Sequence, residues 1–180
     1  MRSDRRADPG GEIGSSAIRD DHSGSSQPTL SNRAFAVALA TVVVGVDQLA
    51  KWWATTALAD GPIVVIDGFF QFRRTFNTGA SFSLFSGGGQ VLAVIAFGVV
   101  SLIVYVLGDA SRRLEAVSLG LVLGGAVGNL VDRVFRGPGL LDGAVVDFID
   151  FSFFAVFNVA DIAINVGVGL LFVVAFWKRK

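Results

Sequence analysis

Four apolar runs constrain this chain more than any other feature. They fall at about residues 34–57, 90–107, 116–134 and 156–177. Each approaches the roughly 20 residues that a helix needs to cross a bilayer. With 52% hydrophobic and only 17% charged residues among 180, the chain is too apolar for a soluble domain and fits a small polytopic membrane protein. Lipid offers no partner for backbone N–H and C=O groups, so spanning segments of this length are helices. The expected fold class is an α-helical membrane protein with four transmembrane helices. The first run has a rival reading, because Ala57-Leu58-Ala59 mimics a small-residue signal-peptidase cut. Asp47 and Lys51 interrupt that stretch and the cut lies far from its apolar core, so an uncleaved helix is expected.

Composition narrows the chemistry. Net charge is zero, so no bulk basic patch addresses nucleic acid. There is no cysteine, which removes thiol catalysis, Cys-ligated metal and disulfides. The one histidine, His22, lies in a polar segment remote from the apolar body. A Ser-His pair within the membrane and an HExxH metal site are therefore excluded. Residues 1–33 are rich in Ser, Gly, Asp and Arg; they bury too little surface to offset ordering entropy and read as a disordered tail. Residues 34–180 read as one four-helix membrane domain.

Between the first two spans, residues 61–88 do not read as helix. IVVI (63–66), Asp67-Gly68 and FFQF (69–72) read as two short strands around an Asp-Gly turn. An open sheet edge is not tolerated in lipid, so this small β-sheet is expected at the outer surface. Orientation follows from basic residues in short loops. Arg112, Arg113 and the terminal Lys178-Arg179-Lys180 outweigh Arg73, Arg74 and Arg136, which favours both termini inside.

Threading the spans in alternating directions sends the strongly polar residues to one end. Asp47 and Lys51 share a face of span 1 at i, i+4. Gly125, Asn129 and Arg133 stack on span 3, with Asp132 beside them and a seam of Gly120, Gly124 and Gly128 that admits close helix approach. Asn158, Asp161 and Asn165 lie at i, i+3, i+7 on span 4, and Asn77 and Asp147 lie in outer loops. An ionisable residue at membrane depth is a functional candidate by default, and Asp161 has no neutralising neighbour in sequence. A second carboxylate beside it would form a pair able to activate water, because two close negative charges resist coexisting. Spacing alone leaves Asp142, Asp147 and Asp150 as partners. Other motifs keep two readings each. Asp47–Lys51 is a site element or an ion pair that anchors span 1. Asp132 belongs to the site or braces the end of span 3. Arg133 serves the site or snorkels to lipid phosphate. Arg73, Arg74 and Arg136 read as interfacial charges, and Asp142 and Asp150 as solvated loop carboxylates.

Five ordered blocks resemble one family, the lipoprotein signal peptidases (signal peptidase II): DQLAK (47–51), FNTGASFSLF (76–85), GGAVGNLVDR (124–133), VVDF (145–148) and FNVAD (157–161). The resemblance covers about residues 40–170. It implies a multi-pass aspartic endopeptidase of the bacterial cytoplasmic membrane. Such an enzyme cuts the signal peptide from diacylglyceryl-modified prolipoproteins, just before the lipidated cysteine. The family's catalytic aspartates fall on Asp147 and Asp161. Its supporting residues fall on Asn77, Asn129, Arg133, Asn158, Asp47, Lys51 and Asp132. The resemblance makes 61–88 an extracytoplasmic β-cradle between helices 1 and 2, and 135–156 a mobile flap. It places the active site near the extracytoplasmic face, with both termini cytoplasmic. Two departures stand out. Ser81 replaces a common alanine, and the two aspartates lie only 14 positions apart, which shortens the flap over 148–156.

The expected mechanism has Asp147 and Asp161 sharing one proton, activating water and polarising the scissile carbonyl. No metal or cofactor is expected. Expected partners are diacylglyceryl-prolipoprotein substrates and membrane lipids, not nucleic acid, with the chain acting as a monomer. Rival classes are a proton-coupled transporter, an assembly factor and a Ser-Lys hydrolase using Lys51 with Ser81 or Ser83. A transporter would place charge at mid-membrane and show repeated halves, neither of which is visible. The Ser-Lys reading predicts that Asp161→Asn is tolerated and Lys51→Ala is not.

Overall fold

A computed structural model describes residues 31–79 and 88–177. The N-terminal tail through residue 30, Ser81, Ser83 and the terminal Lys178-Arg179-Lys180 lie outside the described residues. The order of elements is α1 (Asn32–Ala57), β1 (Ile63–Ile66), β2 (Phe70–Asn77), α2 (Gly88–Val106), a short 3-10 turn (Leu107–Asp109), α3 (Arg113–Phe135), β3 (Val145–Phe151) and α4 (Val159–Trp177). All four helices are long and apolar enough to cross a membrane. Helix α1 starts at Asn32, slightly before the apolar run, because the Ser31 hydroxyl caps it by accepting from Ala34 N at 3.2 Å.

Helix α3 is the central element and packs on α1, α2 and α4. Small residues permit this. A Cβ on Gly124 would lie 2.8 Å from the Ala40 carbonyl and 2.6 Å from Val43 Cβ, and one on Gly120 would lie 2.8 Å from the Ala36 carbonyl. The seam Gly120–Gly124 therefore meshes with Ala36 and Ala40 of α1, the small-residue packing that association in lipid requires. Gly125 plays the same part against Ala160 of α4. Away from the polar end, Ala36, Ala40, Ile103, Leu107, Ala116, Leu119, Val122 and Leu123 close an apolar core. Large apolar side chains such as Val42, Leu49, Ile95, Phe97 and Phe172 face outward, as a lipid-facing surface demands.

The sheet departs from the expectation of two strands between helices 1 and 2. Strands β1 and β2 do lie there, but β3 joins them from the segment between α3 and α4, giving an antiparallel sheet of order β1-β2-β3. The Asp-Gly turn forms as expected, with Gly68 at φ 65°, where glycine carries no Cβ penalty. VVDF, placed above in an outer loop, is the start of β3. The segment read as a flap over 135–156 is thus about one-third strand; Val145–Phe151 is held by β2, and Phe148 and Ile149 N–H donate to the Phe157 carbonyl. Strand β2 carries an irregularity between Phe72 and Thr75. Phe72 pairs with Ile149, so an unbroken register would set Arg74 opposite Asp147; the extra residue sets Thr75 there instead. A neutral hydroxyl, not a guanidinium, faces that carboxylate.

Candidate functional site

The site is built where the start of α4, the end of α3 and strands β2 and β3 meet α1. Asn158 precedes α4 and forms a reciprocal cap with Asp161. Its Oδ1 accepts from Asp161 N at 3.0 Å, and its own N–H donates to Asp161 Oδ2 at 3.1 Å. The FNVAD block is therefore a helix start, a capping box with aspartate in the acidic position. Local chemistry at the helix terminus fixes the rotamer of Asp161. Its other oxygen, Oδ1, accepts from Asn129 Nδ2 of α3 at 2.9 Å.

Asp147 is 3% exposed. Its oxygens are held by Asn77 Nδ2 at 3.0 Å and by Asn158 Nδ2 at 2.7 Å. Asn77 ends β2, and strand pairing brings it beside Asp147, since Asn77 pairs with Val145 and Thr75 with Asp147. The Asn77 side chain is itself set by the Gly79 N–H donating to its Oδ1 at 2.9 Å. Burial pushes Asp147 up to about 6; the neighbouring Asp161 charge adds to this, and the hydrogen bonds from Asn77 and Asn158 oppose it. One residue, Asn158, thus joins both carboxylates, through its side chain to Asp147 and its backbone to Asp161. Among the described residues neither Asp147 nor Asp161 forms a salt bridge.

A second acidic cluster lies directly behind. Lys51 Nζ contacts Asp47 Oδ2 and Asp132 Oδ2, each at 2.8 Å, and donates to Asn129 Oδ1 at 2.9 Å. All three charged side chains are 0% exposed. The ammonium's three N–H groups are thereby spent, which leaves no lone pair for a Ser-Lys hydrolase. Arg136 Nε adds a pair to Asp132 at 2.7 Å. Asp47 and Asp132 are thus deeper than a partly buried anchor of span 1 or a brace at a helix end would be. Gly128 makes room for them, since a Cβ there would lie 2.7 Å from Asp47 Oδ2.

Arg133 turns inward rather than toward lipid phosphate; it is 6% exposed and its Nη1 donates to the Gly143 carbonyl at 3.4 Å. It lines a cavity of about 320 Å³ together with Asn77, Asn129, Asp147 and Asp161, whose remaining walls are apolar residues such as Leu92, Ile95, Val99 and Ile164. Asp161 also borders a second cavity of about 440 Å³ with Phe154, Phe157, Ile162 and Asn165. A polar end opening on apolar walls suits a ligand that is part peptide and part lipid.

The structure brings together Asp147, Asp161 and the seven supporting residues Asn77, Asn129, Arg133, Asn158, Asp47, Lys51 and Asp132, and sets Asp142 and Asp150 apart from them. Asp142 closes its own turn by accepting from Gly139 N. Asp150, read as a solvated loop carboxylate, is instead buried on β3, where Arg73 at 2.7 Å and Gln71 at 2.7 Å hold it below the usual carboxylate range. Arg73 and Arg136 are accordingly ion-pair partners, not merely interfacial charges, while Arg74 Nη1 donates to the Thr55 carbonyl. Two residues escaped notice in the sequence. Gln48 Nε2 reaches Asp47, Asp132 and the Gly128 carbonyl within 3.2 Å; only its place within DQLAK signalled it. Thr75 has a buried hydroxyl with no hydrogen-bond partner among the described residues, and no sequence signal marks a strand bulge. Among the described residues no cluster of His, Cys, Asp or Glu forms a metal site.

Comparison with known proteins agrees with this architecture. Residues 39–177 match the family model described as signal peptidase (SPase) II. Proteins named lipoprotein signal peptidase are similar over most of their length. The one from Rhodococcus jostii is 42% identical, covering 86% of this chain and 80% of its own. The one from Trichormus variabilis is 40% identical, covering 82% and 92%. A bacterial membrane enzyme solved by the in meso method superposes with a TM-score of 0.68 at 28% identity, covering 81% of this chain and 89% of that one. The four spans, the buried aspartates and these matches place the chain in the signal peptidase II family of aspartic peptidases, the lipoprotein signal peptidases.

Proposed function

We propose that Asp147 and Asp161 are the catalytic pair of this lipoprotein signal peptidase, and that the bond cut is the one preceding a diacylglyceryl-modified cysteine. The observation that carries this reading is the bridging of two carboxylates by Asn158, with no salt bridge to either among the described residues. Two close acids, neither in a salt bridge among the described residues, share a proton. Asp147, pushed up by burial, holds it. Asp161 takes a proton from water as the water oxygen bonds to the scissile carbonyl carbon, while Asp147 donates its proton to the carbonyl oxygen. The tetrahedral diol then collapses: the C–N bond breaks, the amine leaves with the proton now on Asp161, and Asp147 recovers its proton from the diol. Asn158 orients both acids, and Asn129 orients Asp161. Arg133 and Asn77 face the same cavity and are placed to hold the substrate backbone.

The apolar walls of the two cavities suit the acyl chains and the signal peptide's apolar segment. The polar end lies opposite the α2–α3 connection bearing Arg112 and Arg113, so the loop bias puts the site at the extracytoplasmic face and both termini in the cytoplasm. The sheet then lies outside the bilayer as a cradle for the precursor. The chain acts as a monomer in this reading, and the mechanism calls for no metal or cofactor.

Cleavage of a purified diacylglyceryl-modified precursor tests the assignment. Asp147→Asn and Asp161→Asn should each lower kcat/KM by about 10²–10⁴-fold, the usual range for a general acid or base, in protein that still inserts. Full activity in either variant overturns it. Equal cleavage of an unlipidated precursor overturns the substrate reading alone.

A further inference from the structure

Asp47 and Asp132 each grip one more group than their salt bridges need. Asp47 Oδ1 accepts from the backbone N–H of Ala160 at 2.9 Å, and Asp132 Oδ2 accepts from the backbone N–H of Val146 at 3.2 Å. Ala160 immediately precedes Asp161, and Val146 immediately precedes Asp147. Both N–H groups would otherwise be orphaned. The first belongs to the opening turn of α4, which has no intrahelical acceptor. The second lies on β3, which ends the sheet and has no strand on its far side. Lys51 then ties Asp47 to Asp132 at 2.8 Å on each side.

We propose that Asp47, Lys51 and Asp132 form a clamp that sets the separation of the two catalytic aspartates, holding the backbone one residue ahead of each, with Lys51 as the positioning residue at its centre. The inference rests on the assignment of Asp147 and Asp161 made above. Three wholly buried charges are a costly way to fasten a helix bundle, since well-packed apolar residues of similar volume do so at least as well. What apolar residues cannot supply is a directional grip on two N–H groups at a fixed distance. Catalytic groups need that, because a displacement of about 1 Å costs on the order of 10²-fold in rate. Lys51 reaches the pair a second way: its bond to Asn129 Oδ1 turns that amide so that Nδ2 donates to Asp161.

The pair's coupling gives the clamp a signature distinct from bracing. Two acids sharing a proton titrate in two steps, and the gap between the steps grows as they approach. The charged groups facing the pair are Lys51 and Asp47 from α1, Asp132 and Arg133 from α3, and the aspartates themselves from β3 and α4. The double variant Asp47→Asn/Lys51→Met removes one charge of each sign, keeps a carbonyl acceptor toward Ala160 and leaves Asp132 paired with Arg136. Lys51→Arg, a second variant, keeps the charge but not the three-way ammonium geometry.

Each variant is purified in detergent, its thermal unfolding recorded, and kcat and KM measured across pH on a diacylglyceryl-modified precursor, beside Asp161→Asn. The clamp predicts a kcat lowered by about 10- to 100-fold, an unchanged KM and a narrower interval between the acid and alkaline limbs. Both limbs unmoved, with kcat reduced only in proportion to unfolded protein, or kcat unaffected, overturns it. If the double variant does not fold, Lys51→Arg decides by the same criterion. Cleavage by Asp161→Asn defeats the catalytic assignment itself; an inactive Asp161→Asn with unmoved limbs in the clamp variants defeats only the clamp.

Discussion

The polar end holds two acidic pairs a few ångströms apart that are treated in opposite ways. Asp47 and Asp132 are fully buried but matched by Lys51 and Arg136, so that cluster is neutral overall. Among the described residues the side-chain hydrogen bonds to Asp147 and Asp161 come from amides alone, those of Asn77, Asn129 and Asn158, while Lys51 and Arg133 act on Asp147 only through space. Neutral donors orient a carboxylate without fixing its charge, which leaves a proton free to move within the pair. A cation would hold the charge in place and disable it as an acid. The difference between the structural carboxylates and the proposed catalytic ones is therefore the kind of donor around them rather than depth.

The contrast breaks most sharply at the proposed catalytic pair. Asp161→Asn or Asp147→Asn should remove about 10²–10⁴ of kcat/KM while leaving the unfolding temperature near the parent's. An equal loss of fold would erase the distinction. Lys51→Met alone should act first on the fold. It strands Asp47 between buried neighbours and should cost about 3–5 kcal/mol of stability, read as a large fall in unfolding temperature or failure to accumulate. A smaller sharpening comes from pH. The folded state holds the Asp147 proton up to about 6, against an ordinary carboxylate value of 3.8, so it binds more protons than the unfolded chain between those values. Asp147 therefore favours folding at low pH, and that contribution is lost as pH rises through about 6. The unfolding temperature of Asp147→Asn should gain on the parent's across this window and then stay level. A gain that falls with rising pH would contradict the burial of an uncompensated acid.

Steric fit gives a further, smaller effect. Gly128→Ala would press a methyl group against Asp47 Oδ2 and should cost about 1–3 kcal/mol by overpacking, with activity falling alongside stability. The Arg73–Asp150 pair is the control, because the Arg73 side chain is 47% exposed. Arg73→Gln should change stability by less than about 1 kcal/mol and leave cleavage intact.

Helices and their polar ends were legible before any fold was known, because hydrophobic length and i, i+4 spacing are local properties that lipid enforces along each segment separately. Asp47 and Lys51, and Asn129 and Arg133, each fell on one helical face by counting alone, whereas Asn158, counted onto the face of Asp161, is the cap that precedes α4. The choice of Asp147 over Asp142 and Asp150 needed the family blocks. In the structure that choice has a physical basis in strand β3, which neither period nor propensity announced in VVDFIDF. A strand exists only through its partner, and its register depends on a bulge in β2 that puts Thr75 opposite Asp147 and Asn77 within reach of it. The same holds for Asp47 and Asp132. Sequence showed Asp47 one turn from Lys51 and Asp132 at the end of a separate span; only packing showed that each also grips the backbone beside Asp161 or Asp147, because those contacts span 113 and 14 positions of chain. Local order follows from what each segment must do in lipid, whereas the direction of a hydrogen bond between segments is settled only when they meet.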